Sequence, residues 1–359
     1  MLPNRSQDLH YDIDWNITQY QTTGQFEAFF GVSTTVCTVT ILFYLLLIMI
    51  LARKTNLLSG SSFLIIHQLT MEIQIIGIHF PIYIGGLHQA IYRKVRYTDE
   101  FCRHYMYAFM ITVTAVQWGF FSLALNRFVA IHSPHNYKKW IAKKVLCAMG
   151  AGSWIIGIAC YMYFYLGNEG SFVALVPYGE CDFGHAGGPV FGIMAVISTY
   201  LPLFLTGVLY ITLFVKVYLI GRNRQVATDK TQKDDVRLKA FKKRVRLARL
   251  LFTTTIVHTI CFATIPVMYT AMPEKMQDQV IREWVRLAYF CAYVSTPVLY
   301  FTMNADAWNG LKSMLCGLGR RGVLRDDSHH GTAIDHSSSE RSPDKSKSAT
   351  TKEVVIMDS

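Results

Sequence analysis

Two charged side chains that lie inside long apolar stretches are the strongest candidates for functional residues in this chain. Arg127 lies in "SLALNRFVAI", residues 122–131, and Glu72 is the one acid deep inside an apolar run. An arginine keeps its proton in proteins, and a charge close to hydrocarbon is costly enough that it usually marks a functional position. The apolar runs contain no G-x-S-x-G or H-E-x-x-H pattern, which would indicate a hydrolase or a zinc site. These residues therefore favour a switch or a binding site over an enzyme.

The composition indicates a membrane protein. Of the 359 residues, 52% are hydrophobic and 16% are charged, whereas a soluble domain carries about 25% charged residues. The net charge is +11, but the basic residues occur in short stretches between apolar runs, which favours the lipid bilayer over nucleic acid as the partner. The eight cysteines include no C-x-x-C pair, so neither a metal cluster nor a cofactor is expected.

Seven apolar runs are long enough to cross a bilayer, which takes about 20 residues in a helix. They cover residues 28–52, 62–88, 104–131, 145–166, 189–220, 248–272 and 284–304. Uninterrupted runs predict helices, because the strands of a membrane barrel alternate with a period of two. The sequence thus predicts an all-α membrane protein built as a bundle of seven transmembrane helices.

The charges of the connecting segments predict the orientation, since cytoplasmic loops carry an excess of Lys and Arg. The third connection holds four lysines and no acid, the fourth holds only acids, and the basic second connection breaks the trend. The balance predicts a multi-pass plasma-membrane protein with its N-terminus outside and its C-terminus in the cytoplasm. Two N-x-S/T triplets, at Asn4 and Asn16, precede the first run and are candidate glycosylation sites.

The chain divides into three parts. Residues 1–27 form an extracellular segment, residues 28–316 form the bundle, and residues 317–359 form a cytoplasmic tail. The tail includes "DDSHHGTAIDHSSSERSPDKSKSATTK", which is rich in Ser, Thr and charge, so it is predicted to be disordered.

Cys102 and Cys181 are candidates for a disulfide. Cys102 lies 25 residues before Arg127 in the third run, which is roughly the thickness of the bilayer core and puts it at the outer mouth of the helix. Cys181 lies in the fourth connection, also outside, where the oxidising environment favours disulfides. The alternative is two free thiols.

At this point the pattern resembles the rhodopsin-like (class A) G-protein-coupled receptors over about residues 28–316. The resemblance rests on the seven runs, on Cys102 and Cys181, and on Asn126-Arg127-Phe128 at the base of the third run. Further marks are Trp154 in the fourth run, Pro202 and Tyr210 in the fifth, Pro266 in the sixth, "TPVLY" with Pro297 and Tyr300 in the seventh, and "NADAWNGLKSMLCG" in place of the short eighth helix.

The resemblance implies that Arg127 is an activation switch. In the family the sixth helix, kinked by a proline as the fifth is, swings outward, and the arginine joins a cavity for the G protein. Tyr210 and Tyr300 would bond with Arg127 in that open state. The implied partners are a heterotrimeric G protein and arrestin, recruited by phosphorylation of tail serines such as Ser337. Cys316 is a candidate for palmitoylation. The alternative for Arg127 is a side chain that reaches the lipid headgroups.

The chain departs from the family pattern beside Arg127. The family usually has an acid before the arginine, where this chain has Asn126, and the base of the sixth run, "FKKRVRLAR", is entirely basic. The ion pair that holds the resting state is therefore not expected, which predicts signalling without ligand. These departures, with "LNRFVAI" and "HNYKKW", look like the serpentine chemoreceptor classes of nematodes.

Glu72 matches the family's buried acid, which helps to bind sodium in many relatives. Its expected partners, Val116 and Thr296, are apolar or altered, so a protonated or hydrogen-bonded Glu72 is favoured over a sodium ligand.

The ligand class is limited by what two helices lack. Residues 104–126 contain no acid for a cationic amine, and residues 284–304 contain no Lys for retinal. A small organic chemical or a peptide remains, in an aromatic pocket formed by Tyr105, Phe109, Met110, Met268, Tyr269, Phe290 and Tyr293. The alternative is that these side chains only pack in the core or face lipid.

A secondary transporter is the main alternative function. Transporters show internal repeats and paired broken helices around midplane charges. We find no repeat here, and Glu72 stands nearly alone.

Overall fold

The computed structural model of the protein describes residues 15–54, 62–133, 135, 137–168, 171–175, 180–183, 189–226, 232–272 and 274–320. The described chain is almost entirely helical. The helices are α1 (Trp15–Lys54), α2 (Ser62–Arg93), α3 (Asp99–His132), α4 (Lys143–Tyr165), α5 (Pro189–Ala195, Val196–Tyr200 and Leu201–Val226 in succession), α6 (Gln232–Ala271), α7 (Gln279–Met303) and α8 (Ala305–Arg320). A one-turn helix, Tyr137–Trp140, precedes α4, and a 3-10 turn, Lys275–Gln277, precedes α7.

The predicted seven-helix bundle with an eighth helix is confirmed. Among the described residues, six helices are long and apolar enough to cross a membrane, namely α1 to α6. The 25-residue α7 is long enough as well, but Arg282, Glu283 and Arg286 in its first turns make it more polar. It packs between α1 and α6, while α3 contacts α2, α4, α5 and α6 at the centre.

Local sequence explains where several helices begin and end. Thr98 caps α3 by accepting a hydrogen bond from the Phe101 amide, and Asp99 and Glu100 lie in the first turn, where the helix dipole favours acids. Asp278 caps α7 in the same way. Lys94 ends α2 in the left-handed conformation, with a φ of 57°.

The first helix begins earlier in the chain than the run predicted to cross the membrane. The first helix begins at Trp15, so it crosses the expected boundary at residue 27, and Asn16 lies in its first turn rather than before the helix. Its candidate membrane-crossing part still starts later, at Gly24. Asn4 and the predicted disordered tail from residue 321 onward lie outside the described residues, as does the side chain of Cys316.

Two of the transmembrane helices contain a π turn shortly before a proline. Ile75–His79 precedes Pro81 in α2, and Val196–Tyr200 precedes Pro202 in α5. A proline donates no backbone hydrogen bond, and in a bilayer the freed carbonyls need other partners. Neighbouring helices supply some, in each case to the carbonyl five residues before the proline: the Cys37 thiol donates to the Ile76 carbonyl at 3.1 Å, and the Trp118 indole donates to that of Ile197 at 3.3 Å. Pro266 lies inside α6, and its side chain is outside the description.

A short antiparallel hairpin covers one end of the bundle. Its strands are β1 (Phe172–Leu175) and β2 (Glu180–Phe183), with Ala174 paired to Cys181. The Ala174 amide donates to the Asp99 carboxylate at 2.8 Å. The predicted disulfide is confirmed: Cys102 of α3 is bonded to Cys181 of β2 at an S–S distance of 2.01 Å.

We expect loss of this disulfide to destabilise the protein clearly. The bond closes a separation of 79 residues, and removing a native disulfide from a small domain typically costs about 2–5 kcal/mol. Thermal unfolding of purified Cys102→Ser/Cys181→Ser should therefore begin at a lower temperature than that of the unmodified protein. Cys147→Ser is the matched control, because Cys147 is an exposed free thiol. Equal unfolding temperatures for the two variants would contradict the prediction.

The core of the described residues consists of three large apolar clusters stacked along the bundle and a small fourth one, which joins Ile131 of α3 to Leu213 of α5 and Ala248 of α6. The outer cluster surrounds the disulfide, the middle one lies between α2, α3, α6 and α7, and the third lies toward Arg127. Close packing of α3 on α4 depends on Gly157, where a Cβ would lie 2.9 Å from the Ile111 carbonyl oxygen.

Candidate ligand cavity and its connection to Arg127

A cavity of about 720 Å³ opens beneath the hairpin, between α2, α3, α5, α6 and α7. Four of the predicted pocket residues line it, namely Tyr105, Phe109, Met110 and Phe290. Sequence reasoning missed its other aromatic walls, which include Tyr83, Phe183, Phe191, Tyr200, Phe262 and Tyr289. The volume lies within the range of small-molecule sites, and the walls are predominantly apolar.

Two of the predicted pocket residues, Met268 and Tyr293, are not part of the described lining of the cavity. Tyr293 is completely buried deeper in the bundle, where it packs against Phe262 and His258. Met268 is half-buried on α6, and the side chain of Tyr269 lies outside the description. The helical face that each residue presents could not be read from sequence, because the stretches around them, residues 260–269 and 287–294, are apolar almost throughout.

An ion-pair network, which we call the mouth network, borders the cavity at the end covered by the hairpin. Its members are Glu180, Asp182, Arg282, Glu283 and Arg286. Arg286 is the centre: it pairs with Glu180, binds Asp182 at 2.8 Å, and lies 3.7 Å from Glu283. Arg282 pairs with Glu180 at 3.1 Å. The network joins β2 of the hairpin to the first turns of α7.

The mouth network is reinforced from α2. The Tyr83 hydroxyl accepts a hydrogen bond from Arg286 at 2.6 Å and donates one to Glu283. The guanidinium of Arg286 also lies over the Tyr83 ring, 5.4 Å from its centroid. The side chains of Glu180 and Glu283 are almost fully buried, at 2% and 0% exposure. The sequence signal for this network was the group of charges at the start of the seventh run, beside the acids that flank Cys181.

The inner end of the cavity holds one polar side chain of interest, Gln117 of α3. It lines the cavity and is 2% exposed. Its amide nitrogen Nε2 has no hydrogen-bond partner within the described part of the chain.

Below the cavity, an aromatic path leads toward α7. Phe262 of the cavity wall packs against His258, with ring centroids 5.5 Å apart. His258 also contacts the rings of Phe120 and Tyr293, and its Nε2 lies 3.1 Å from the Thr296 hydroxyl, next to Pro297. Phe262 of the cavity wall is thus linked to the proline turn of α7 through one residue, His258.

A residue of another helix provides a hydrogen bond to the carbonyl that Pro297 leaves without a donor. Pro297 has no amide hydrogen for the Tyr293 carbonyl, four residues earlier. The Tyr44 hydroxyl of α1 lies 2.7 Å from that carbonyl oxygen. The same hydroxyl lies 2.6 Å from Glu72 Oε2, and the Gln68 amide donates to Glu72 Oε1 at 2.9 Å. Glu72 is completely buried.

Counting protons around Tyr44 favours a protonated Glu72. A carbonyl oxygen only accepts, so the single Tyr44 proton is taken by Tyr293. The short contact between Tyr44 and Glu72 then needs a proton from the carboxyl group. A neutral carboxyl group donates to Tyr44 through one oxygen and accepts from Gln68 through the other, so all the hydrogen bonds balance.

We therefore expect Glu72→Gln to be tolerated, because an amide can also donate through one atom and accept through the other. Its unfolding free energy should remain within about 1 kcal/mol of that of the unmodified protein. Glu72→Leu, which leaves buried polar partners unpaired, should cost about 1–3 kcal/mol. Thermal unfolding of the two purified variants measures the difference, and equal losses would indicate that Glu72 is ionised instead.

The buried arginine lies at the other end of α3. Arg127 is 5% exposed and Asn126 is completely buried. Asn126 Oδ1 accepts a hydrogen bond from Tyr137 of the one-turn helix at 3.4 Å. Phe128 stacks on His132, with ring centroids 5.0 Å apart.

The two tyrosines predicted to accompany Arg127 lie near it. Tyr210 of α5 and Tyr300 of α7 are both buried, and both are close enough to interact electrostatically with the Arg127 guanidinium. Arg127 is therefore enclosed by the bundle and does not extend to the headgroups. The end of α3 is also tied to α5, since Lys216 Nζ donates to the His132 carbonyl at 3.1 Å.

The family comparison matches most of the chain. The model of the family described as 7 transmembrane receptor (rhodopsin family) matches residues 44–300. This range includes the cavity, the mouth network, Glu72 and Arg127. No curated protein matches the chain.

Proposed function

The chain belongs to the rhodopsin family of seven-transmembrane receptors, and we propose that it converts the binding of an extracellular ligand into activation of a heterotrimeric G protein. The observation that carries the proposal is the pairing of two sites in one bundle. A cavity of about 720 Å³ lies at one end, and the buried Arg127 lies at the other. The path from Phe262 through His258 to Thr296 links the cavity to the helix that carries Tyr300.

The cavity faces the outside of the plasma membrane in this proposal, and Arg127 faces the cytoplasm. The disulfide supports this orientation, because such bonds persist in oxidising compartments and this one lies at the cavity end. The lysines around the one-turn helix Tyr137–Trp140, at the other end, agree with the excess of bases on the cytoplasmic side. Residues 1–27 would then be extracellular and the tail cytoplasmic.

The proposed ligand is a small organic molecule. The walls are aromatic, α3 has no acid between residues 104 and 126 for a cationic amine, and α7 has no lysine for retinal. A ligand of this kind agrees with the predicted likeness to nematode chemoreceptors. A peptide is the second candidate. Only its terminal residues would enter the cavity, because the hairpin and the mouth network cover the cavity.

Signalling without ligand forms part of the proposal. Asn126 occupies the position where an acid would pair with Arg127, and its side chain is neutral and bonded to Tyr137. Residues 126 and 127 therefore form no ion pair with each other, and a small change in free energy is enough to shift a two-state population. Arrestin binding to the phosphorylated tail and palmitoylation of Cys316 would act after activation.

Sensors of G-protein dissociation test this function directly. The chain is expressed in a heterologous cell with a panel of sensors, and surface protein is measured in parallel. We expect a ligand-free signal from one class of G protein, proportional to surface level. Silence on every sensor at high surface level would contradict signalling without ligand. Saturable solute uptake into proteoliposomes would instead favour a secondary transporter.

A further inference from the structure

Gln117 is a buried hydrogen-bond donor without a protein acceptor. Its side chain lines the inner end of the cavity, and its Nε2 is unpartnered among the described residues. Buried polar groups in folded proteins are nearly always paired, and exceptions call for a specific explanation. The preceding residue, Val116, uses its own carbonyl to accept from Gln68. An unpaired amide that borders an empty space of this size is placed to meet an acceptor on whatever fills that space.

Several other polar groups of the described cavity wall are already engaged. The Thr259 hydroxyl donates to the Thr255 carbonyl at 2.8 Å, and the Tyr105 hydroxyl donates to that of His79. The Tyr83 hydroxyl is bound within the mouth network. Among the described lining residues, Arg282 Nε is also buried and unpartnered, but it belongs to the mouth network, so Gln117 provides the unpartnered donor at the inner end of the cavity.

The charges that line the cavity are confined to its mouth. Asp182, Arg282 and Arg286 are the charged residues of the described lining, and each takes part in an ion pair. The mouth network contains three acids and two arginines, so it has no surplus positive charge for an anion. The inner walls are aromatic and aliphatic, where an ion without a partner would be strongly disfavoured.

We propose that the cavity binds an uncharged, mainly apolar molecule with a carbonyl-type acceptor at its inner end, to which the Gln117 amide donates. This inference rests on the proposed function only in naming the ligand class of the same cavity. Ketones, esters and aldehydes meet the description. The aromatic walls hold the apolar body, and Gln117 orients the molecule by its one polar atom.

A matched series of compounds tests the proposal on the purified full-length protein. The probes are phenyl alkyl ketones, the alkylbenzenes of equal length, and the corresponding phenylalkylamines and phenylalkanoates. The readout is the ligand-induced rise in unfolding temperature. Ketones should bind about tenfold more tightly than the matched hydrocarbons, the value of one net hydrogen bond. Preference for the amines or carboxylates, or stabilisation by no ketone, would overturn the proposal.

Two variants separate the role of Gln117 from general packing. Gln117→Met keeps the length of the side chain and removes the donor, so it should abolish the difference between ketone and hydrocarbon. Gln89→Met is the matched control, since Gln89 is exposed on α2 and does not line the cavity. Without ligand, Gln117→Met should unfold at a higher temperature than the unmodified protein, because it no longer buries an unpaired amide. A lower temperature would assign Gln117 a structural role and overturn the proposal.

The binding measurement is independent of signalling. Ketone binding that depends on Gln117, without any response of the G-protein sensors, would support this inference and count against the proposed function. Signalling by a compound whose affinity is unchanged in Gln117→Met would support the proposed function and count against this inference.

Discussion

Replacing Arg127 with alanine is expected to reduce G-protein activation at least tenfold, with and without ligand. Arg127 is held inside the bundle near Tyr210 and Tyr300, on two helices that would separate when a cytoplasmic cavity opens. Its permanent charge would then become available to the G protein. Alanine removes that charge and every hydrogen bond that the guanidinium could donate. The measurement is the sensor signal at matched surface level.

The control for Arg127→Ala is Arg103→Ala. Arg103 is the same residue type on the same helix, but it is exposed near the opposite end. Its loss changes the net charge equally and should leave the signal unchanged. If Arg127→Ala signalled as strongly as Arg103→Ala, the switch role of Arg127 would be wrong.

Arg286→Ala should produce the largest loss of stability, about 3–5 kcal/mol. It removes the centre of the mouth network and leaves two almost fully buried acids, Glu180 and Glu283, without their main counter-charge. Breaking a buried ion pair from one side has a cost of this size, because the remaining charge stays desolvated. The Tyr83 hydroxyl also loses its donor. Thermal unfolding of the purified protein measures the effect.

Arg282→Ala provides the graded comparison for Arg286→Ala. Arg282 pairs with Glu180 alone among the acids, and Glu180 would keep Arg286 as a partner. The expected loss is therefore clearly smaller than that of Arg286→Ala. The opposite order would show that the centre of the network has been assigned to the wrong arginine.

The family and the bundle were predictable because the membrane imposes simple rules. A length of about 20 apolar residues fixes a crossing helix, and the seven runs and family motifs led to the receptor family that the comparison confirms. The disulfide followed from two cysteines on the outer side, and it is confirmed. Neither conclusion required knowledge of how any helix is rotated about its axis.

The details of the cavity did require that knowledge. Tyr293 was predicted in the pocket, but it faces the core. The stretch around it, residues 287–294, is apolar on every face, so it gives no periodic signal to show which side is inward. The mouth network was missed for a different reason. Arg286 and Glu180 are 106 residues apart, and their pairing depends on how the hairpin folds over α7. The π turns of α2 and α5 change the hydrogen bonding of individual backbone carbonyls, and the amino-acid composition of the helices does not predict them.

The bond between Tyr44 and the Tyr293 carbonyl also bears on how the chain assembles. The two residues are 249 positions apart, on the first and the last of the transmembrane helices. Until α7 enters the bilayer, the Tyr44 hydroxyl lacks the acceptor that it has in the folded bundle, the Tyr293 carbonyl. The proline turn of α7 likewise has a carbonyl in hydrocarbon that its own helix leaves open. Insertion of the last helix thus completes a hydrogen bond whose donor lies on the first. We expect a nascent chain of six helices to have an incomplete polar core.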